Sequence, residues 1–217
     1  MSGSTPTLGW KDQEQVDWYL DRIDHLPPRA AGEELLAELL PADPQRVLDL
    51  GCGDGRLIAL VLDARPEVVE AVGLDNSDPM LDKARRRFAG DERVQFAHRD
   101  LADPLVVEGP FDVIVSGFAL HHLEHVRKRS LLEEVTARLA PGGLYANLEV
   151  VASATPELHA AFLAAIGRTV DDPEDRLADV EQQLTWMCEA GLEQVDCLWR
   201  WRGFALLVGR APNTVTT

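Results

Sequence analysis

The clearest chemical signal in this chain is a set of three glycines that follow an apolar stretch: Gly51, Gly53 and Gly55. A helical pattern comes next, so the sequence predicts a strand, a tight turn and a helix, with backbone left open to a ligand. Two carboxylates, Asp49 and Asp54, lie beside this turn. They favour a cationic or neutral ligand over a pyrophosphate, and the third glycine comes one residue earlier than in a dinucleotide-binding loop.

Two further aspartates follow the next strand-like stretches. Asp75 closes the segment Val72–Asp75, at the distance from the glycines where an acid accepts hydrogen bonds from a ribose diol. Its competing role is a helix N-cap, which Ser77 and Asp78 also offer. Asp100 follows the third strand pattern, where an aspartate alone is a weak signal because turns favour it.

A pair of adjacent histidines, His121 and His122, follows the fourth strand pattern. Chain neighbours usually point apart, and no third and fourth ligand with suitable spacing is visible, so the sequence predicts no metal site. We expect His122 to pack structurally, whereas His121 either lines a ligand cleft or closes the loop. Glu149, near the end of the fifth strand pattern, either reaches the substrate mouth or is an ordinary ion-paired carboxylate.

Composition narrows the class of protein. The 217 residues suit one α/β domain. A net charge of −16 argues against electrostatic binding of nucleic acid over an extended surface. The arginines of 85–87 and 127–129 fall on helical patterns and are expected to be solvated. No apolar run approaches the ~20 residues of a membrane span, and residues 1–9 lack a signal-peptide core. Three well-separated cysteines fit a reduced, cytoplasmic protein.

Alternating patterns of strands and helices position these residues. Strands are predicted near 46–50, 69–74, 93–97, 111–115 and 143–151, followed by a hairpin of Val195–Arg200 and Phe204–Gly209. Helices are predicted at Trp10–Leu26, Gly32–Leu40, 55–64, 78–88, 124–139, Thr155–Thr169 and Arg176–Ala190. Such alternation implies a parallel sheet covered by helices on both faces, and the hairpin adds an antiparallel pair.

The order of these motifs resembles the class I S-adenosylmethionine (SAM)-dependent methyltransferases over roughly residues 30–210. The matching segments are the glycine loop, Asp75, His98–Leu101, the Leu-His-His-Leu of 120–123 and the Leu-x-Pro-Gly-Gly of 139–143. The resemblance implies a single domain over 1–217 with a Rossmann-like three-layer sandwich. Its seven-stranded sheet would be mostly parallel and end in an antiparallel hairpin. The histidine segment is most similar to small-molecule and ubiquinone/menaquinone-type methyltransferases.

The same resemblance implies a binding site for SAM. The residues it points to are Asp49, Gly51, Cys52, Gly53, Gly55, Asp75, Asn76, Met80, Asp100, Leu101, Ser116 and Tyr19. Asp75 would bind the ribose, and Asp100 with the Leu101 N–H would bind adenine. Asn76 stands where relatives carry an aliphatic residue against the adenine ring, and Met80 or Leu101 would compensate.

Methyl transfer from SAM requires an aligned acceptor and the exclusion of water. His121 and Glu149 are the candidates for the general base that a hydroxyl acceptor needs. The helices of 1–40 would form a lid from which Tyr19 reaches the SAM carboxylate, or their aromatic residues are buried anchors. The segment 152–175 would form the other wall. With no added domain or basic tract, the acceptor is predicted to be a small molecule, and the protein a monomer or homodimer.

Two other functions stay open from the sequence. A carboxy-SAM synthase of the tRNA wobble-uridine pathway has the same fold, and the ending around Cys197–Leu206 is similar to such enzymes. That function needs a cation for the extra carboxylate, and no arginine or lysine stands out in the motifs. The second alternative is a nicotinamide-dependent oxidoreductase, which the early third glycine and the terminal hairpin disfavour.

Overall fold

The structure is a computed structural model that describes residues 16–17 and 27–213. Most of the predicted N-terminal lid, including Tyr19, lies outside these residues. Val16 and Asp17 are helical, Val16 is fully buried, and the Asp17 carboxylate lies 2.7 Å from the ammonium group of Lys83.

Helices and strands alternate along the described chain. In order they are α1 (Pro27–Leu39), β1 (Arg46–Leu50), α2 (Arg56–Ala64), β2 (Glu70–Asp75), α3 (Asp78–Arg87), β3 (Val94–His98), β4 (Phe111–Gly117), a 3₁₀ turn (Leu120–His122), α4 (His125–Thr136), β5 (Leu139–Val150), α5 (Pro156–Ala165), α6 (Val180–Glu189), β6 (Glu193–Trp201) and β7 (Phe204–Arg210).

The seven strands form one sheet in the order β3-β2-β1-β4-β5-β7-β6. The pairs among β1 to β5 are parallel, whereas β7 runs antiparallel to both β5 and β6. The predicted fold, a mostly parallel seven-stranded sheet with a C-terminal antiparallel hairpin, is confirmed. Strands β2 and β3 lie on one side of β1, and the chain then crosses over to place β4 on the other side. The loops after β1 and β4 therefore flank a crevice at the carboxyl edge of the sheet.

Alternate side chains of the central strands pack into two separate hydrophobic cores, one on each face of the sheet. Leu48 and Leu50 of β1 pack with α4 and α6 on one face, whereas Val47 packs with α1 and α2 on the other. Each strand is thus buried on both sides, which explains the nearly continuous apolar runs of β1 and β4. Among the described helices, none is long and apolar enough to cross a membrane.

Several predicted boundaries are wrong for local reasons. Helix α1 begins at Pro27 rather than Gly32, because proline is compatible with the first turn of a helix. Helix α6 begins at Val180 rather than Arg176, because the Asp179 side chain accepts the Gln182 N–H and caps it there. The Pro-Gly-Gly turn lies inside β5, where the pairing with β4 shifts register as a bulge.

Candidate active site

The loop after β1 folds back on the end of β2. The N–H groups of Gly51 and Cys52 both donate to the Leu74 carbonyl, at 2.8 and 2.9 Å. Gly51 has a φ of +73°, and a Cβ built on it would lie 2.2 Å from the Cβ of Ala119. Glycine is required here for both its conformation and its size. The loop after β4, which carries Ala119, can therefore approach the glycine loop closely.

Asp49, at the end of β1, is a buried carboxylate that faces the cleft. Its side chain is 1% exposed, and neither oxygen has a hydrogen-bond partner among the described residues. Burial, and then the nearby charges of Asp75 and Asp54, raise the pKa of Asp49 well above its ordinary value. A group in this state gains most from a cationic ligand that donates hydrogen bonds.

Asp75, at the end of β2, joins the glycine loop to the start of α3. Its carboxylate accepts the N–H of Gly53 and the N–H of Ser77, both at 2.8 Å. The N-cap of α3 is Ser77, whose hydroxyl accepts the Met80 N–H, so Asp75 keeps oxygen lone pairs for a ligand. Burial raises the pKa of Asp75 even though these N–H groups stabilise its charge.

The loop after β3 closes the far end of the same edge. Asp100 is exposed, and one of its oxygens accepts the Ala102 N–H at 2.9 Å in an Asx turn. Leu101 and Met80 are buried beneath it, 8% and 4% exposed. Asn76 lines the cleft beside them. This end offers two apolar side chains, one carboxylate and one amide, a set that suits a heteroaromatic ring.

These groups meet in one cleft of about 280 Å³. The predicted residues that line it are Asp49, Gly51, Cys52, Gly53, Asp75, Asn76, Met80, Asp100 and Leu101. Lining residues without a predicted role at the site include Arg29, Arg56, Arg99, Phe118, His122 and Glu174. The cleft follows the sheet order, from the β3 and β2 loops across the glycine loop to the loop after β4.

Comparisons with known proteins show the family of this chain. Residues 47–143 match the family described as "Methyltransferase domain". A trans-aconitate 2-methyltransferase of Methylobacterium nodulans is 36% identical over 202 residues, which cover 85% of this chain and 72% of that protein. The chain belongs to the class I SAM-dependent methyltransferases. The alternative of a nicotinamide-dependent oxidoreductase is therefore wrong.

Two other matches cover a smaller share of the matched protein. An uncharacterized methyltransferase of Mycobacterium tuberculosis is 38% identical over 126 residues, 58% of this chain and 59% of that protein. The chain thus spans less than two thirds of that relative. An O-methyltransferase family protein from Burkholderia thailandensis shares the fold, with a TM-score of 0.75 and 23% identity over 93% of this chain and 60% of that chain.

Two arginines, Arg29 and Arg56, share one buried glutamate at the rim of the cleft. Arg29 and Arg56 donate to the same Glu33 oxygen at 2.6 and 2.7 Å, and Arg56 donates to the other at 2.9 Å. Burial alone would raise the pKa of Glu33, but the arginines outweigh it and lower that pKa. The Arg29 guanidinium also lies 5.0 Å from the centre of the Phe118 ring.

The two histidines take unequal positions. His122 lines the cleft, and burial together with the charge of His121 lowers the pKa of His122 to about 3. His121 is 7% exposed, and its Nδ1 lies 2.7 Å from Oε1 of Glu149, which is 1% exposed. Neither His121 nor Glu149 is among the described side chains that line the cleft. Their role as a general base stays a prediction.

Two further predicted residues, Gly55 and Ser116, are not among the residues that line the cleft. Gly55, with φ +81°, precedes α2 and its absent side chain leaves room for Phe88. Ser116 is fully buried, and its hydroxyl donates to the Leu50 carbonyl at 2.7 Å. The neighbour of Ser116, Gly117, lines the cleft instead. Tyr19 lies outside the described residues.

Proposed function

We propose that this methyltransferase binds SAM across the cleft and transfers its methyl group to a small carboxylic acid. The observation that carries the SAM assignment is the buried, unpartnered carboxylate of Asp49 at the glycine loop. The α-ammonium group of SAM is a cation with three donors, and it would satisfy this carboxylate. Arg29 lines the cleft and its charge acts on Asp49, so it would bind the α-carboxylate of SAM.

The rest of the cleft suits the rest of SAM. Asp75 would accept the two ribose hydroxyls with the lone pairs that Gly53 and Ser77 leave available. Met80 and Leu101 would cover the faces of the adenine ring, which compensates for the polar Asn76. Asp100 has one oxygen bound to the Ala102 N–H and would accept the adenine amine with its second oxygen.

When bound, SAM supplies a methyl group that its sulfonium has already activated. The protein has to hold an acceptor in line with that group and keep water away. Phe118, Ala119 and Leu123, on the loop after β4, give this part of the cleft an apolar lining. Ala119 among them lies against the glycine loop, since a Cβ built on Gly51 would meet the Cβ of Ala119 at 2.2 Å.

A carboxylic acid suits the site as acceptor for two reasons. Its carboxylate is ionised at neutral pH and needs no base, whereas the cleft-lining His122 has a pKa of about 3 and His121 does not line the cleft. In addition, a relative that covers 85% of this chain is named for trans-aconitate, a tricarboxylic acid. A phenol or quinol would need a base with a pKa closer to neutrality.

The acceptor class is tested with radiolabelled SAM and two panels of small molecules. One panel holds di- and tricarboxylic acids including trans-aconitate, and the other holds phenols and reduced quinones. We expect base-labile labelled methyl esters from the first panel only. Label transfer confined to the second panel would contradict the carboxylate assignment but keep methyl transfer.

A carboxy-SAM synthase stays as the second candidate because of one observation. Three arginines line the cleft, Arg29, Arg56 and Arg99, where the sequence motifs indicated no cation. Glu33 offsets part of the charge of Arg29 and Arg56, and for that reason we favour methyl transfer. Mass spectrometry of the ligand released from the purified protein separates the two: we expect SAM or S-adenosylhomocysteine, and carboxy-SAM would reverse the preference.

A further inference from the structure

The adjacent histidines His121 and His122 meet Asp175, a residue distant from them in the sequence, beside the cleft. Their potential ligand atoms lie within 4.8 Å of one another. Oδ1 of Asp175 is 3.7 Å from Nε2 of His121 and 3.5 Å from Nδ1 of His122. Both distances are too long for good hydrogen bonds. They are close to the ~3.4 Å that separates two ligands of a tetrahedral zinc ion with bonds of about 2.1 Å.

Glu149 supplies a second, independent observation. One of its oxygens accepts the Val150 N–H and also lies 2.7 Å from Nδ1 of His121. Because that oxygen is an acceptor, Nδ1 donates the hydrogen, and Nε2 on the Asp175 side of the ring is the nitrogen that could bind an ion. A buried carboxylate that orients a histidine in this way is the usual second partner of metal-binding histidines.

The backbone holds this cluster in place. The N–H of Arg176 donates to the His121 carbonyl at 2.7 Å, which fixes the segment after α5 against the 3₁₀ turn. The Lys128 ammonium donates to the Arg176 carbonyl from the other side. Lys128 is 5% exposed, and its charge offsets part of that of Glu149 and Asp175.

We propose that His121, His122 and Asp175 bind a divalent transition-metal ion of the zinc class, with Glu149 as the group that orients His121. Two histidines and one carboxylate suit Zn²⁺ or Fe²⁺ and leave at least one coordination position open. His122 and Glu174 line the cleft, so the open position faces it. There it would bind a carboxylate oxygen of the acceptor, a part that rests on the proposed function, whereas the metal site does not.

Cobalt(II) provides a direct test, because its visible absorption reports coordination number and ligand type. We expect the full-length wild-type protein to bind one Co²⁺ with the bands of a four- or five-coordinate N,O site, and Zn²⁺ to displace it. His122→Gln and Asp175→Asn should weaken binding by at least about 100-fold, and Glu149→Gln by about tenfold. The matched control is His98→Gln, which alters an exposed histidine 2.7 Å from the Asp78 carboxylate.

The controls keep this test separate from the proposed function. Melting curves and S-adenosylhomocysteine binding are measured on every variant, and Asp175→Asn decides the case if His122→Gln does not fold. The proposal is overturned if the wild type takes up no Co²⁺, if uptake survives both ligand substitutions, or if the spectrum shows thiolate ligands from a cysteine. Any of these results, with S-adenosylhomocysteine still bound, leaves the methyltransferase assignment standing.

Discussion

The charge of Asp49 is the residue-scale feature on which SAM binding most depends. Without ligand, the fold buries this carboxylate with no hydrogen-bond partner among the described residues. Such a group lowers stability until a cation reaches it. The same carboxylate lowers the stability of the unliganded protein and strengthens the binding of a cationic ligand. A substitution that removes its charge should therefore raise the stability and lower the ligand affinity.

Asp49→Asn should therefore stabilise the unliganded protein and weaken SAM binding. Since folding raises the pKa of Asp49, its contribution to stability is greatest below its ordinary pKa and is lost as pH rises through the folded value. The gain from Asn should then grow from pH 4 upward and reach about 1 to 3 kcal/mol at neutral pH. Thermal melts at several pH values, with SAM titrations on the same samples, measure both effects.

The control for this substitution is Asp63→Asn, on the exposed face of α2. It should leave both the melting temperature and the SAM affinity nearly unchanged. If Asp49→Asn destabilised the unliganded protein at neutral pH, the carboxylate would have a stabilising partner and the account of its role would fail.

The sequence predicted the acids of the cleft but gave no role there to Arg29 or to the cleft-lining His122. Asp49, Asp75 and Asp100 adjoin predicted strand ends, so the parallel sheet brings them to one edge. Arg29 stands at the start of α1, and nothing in its spacing relates it to β1. The choice between His121 and His122 depends on how the 3₁₀ turn rotates the two rings, which the sequence does not reveal.

At the scale of elements, the glycine loop needs both its backbone conformation and its close approach to Ala119. Gly51→Ala should cost more than the 1 to 2 kcal/mol or so of left-handed strain, because its Cβ would meet Ala119 at 2.2 Å. We expect loss of SAM binding and a large fall in melting temperature. Gly90→Ala is the matched control, since φ there is +94° with nothing within 4 Å of the new Cβ.

The control variant should show the strain alone and keep SAM affinity. Equal destabilisation by the two alanines would contradict the close approach of the loop after β4 to the glycine loop. The two variants thus separate the effect of the steric contact with Ala119 from the effect of the left-handed backbone conformation.

Glu33 joins α1 to α2 through Arg56, and its removal tests that connection. Glu33→Gln should destabilise the protein by about 3 kcal/mol at neutral pH, because two arginines lose a buried counter-charge. The pKa of Glu33 is lowered by folding, so its contribution is present above its ordinary pKa and is lost as pH falls through the folded value. The deficit, measured by denaturant unfolding, should shrink toward acid pH.

Glu34→Gln serves as the control, since Glu34 is the exposed neighbour on the same helix. We expect little change in stability at any pH. A Glu33→Gln deficit that stayed constant into acid would show that packing, and not the ion pair, joins the two helices.

The ends of helices and strands were predictable where a residue pattern ended abruptly. The prediction failed where a hydrogen bond from a single side chain sets the end of the element. Strands β1 and β4 begin as the apolar runs indicate, and the two C-terminal strands match the predicted hairpin closely. Helix α6 starts later than predicted because the Asp179 side chain caps it there. The strand β5 starts earlier because a bulge accommodates a turn-like sequence.

At the scale of the whole molecule, the strand order explains why one cleft gathers groups from distant segments. The sequence predicted the alternation and the hairpin, and these suffice for a doubly wound sheet. The partnership of His121, His122 and Asp175 was not predictable, because it depends on how the irregular segment between α5 and α6 folds back on the sheet edge. Long-range packing of irregular segments leaves no periodic signal in the sequence.

The central claim is that the acid-lined cleft binds SAM, and calorimetric titration of SAM into wild type and Asp75→Ala tests it most directly. Asp75 holds the Gly53 and Ser77 N–H groups and would bind the ribose. We predict one SAM per wild-type chain, an affinity at least about 100-fold weaker in the variant, and a preserved circular dichroism spectrum. Equal SAM affinity in both proteins, or no binding of SAM by the wild type, would contradict the account.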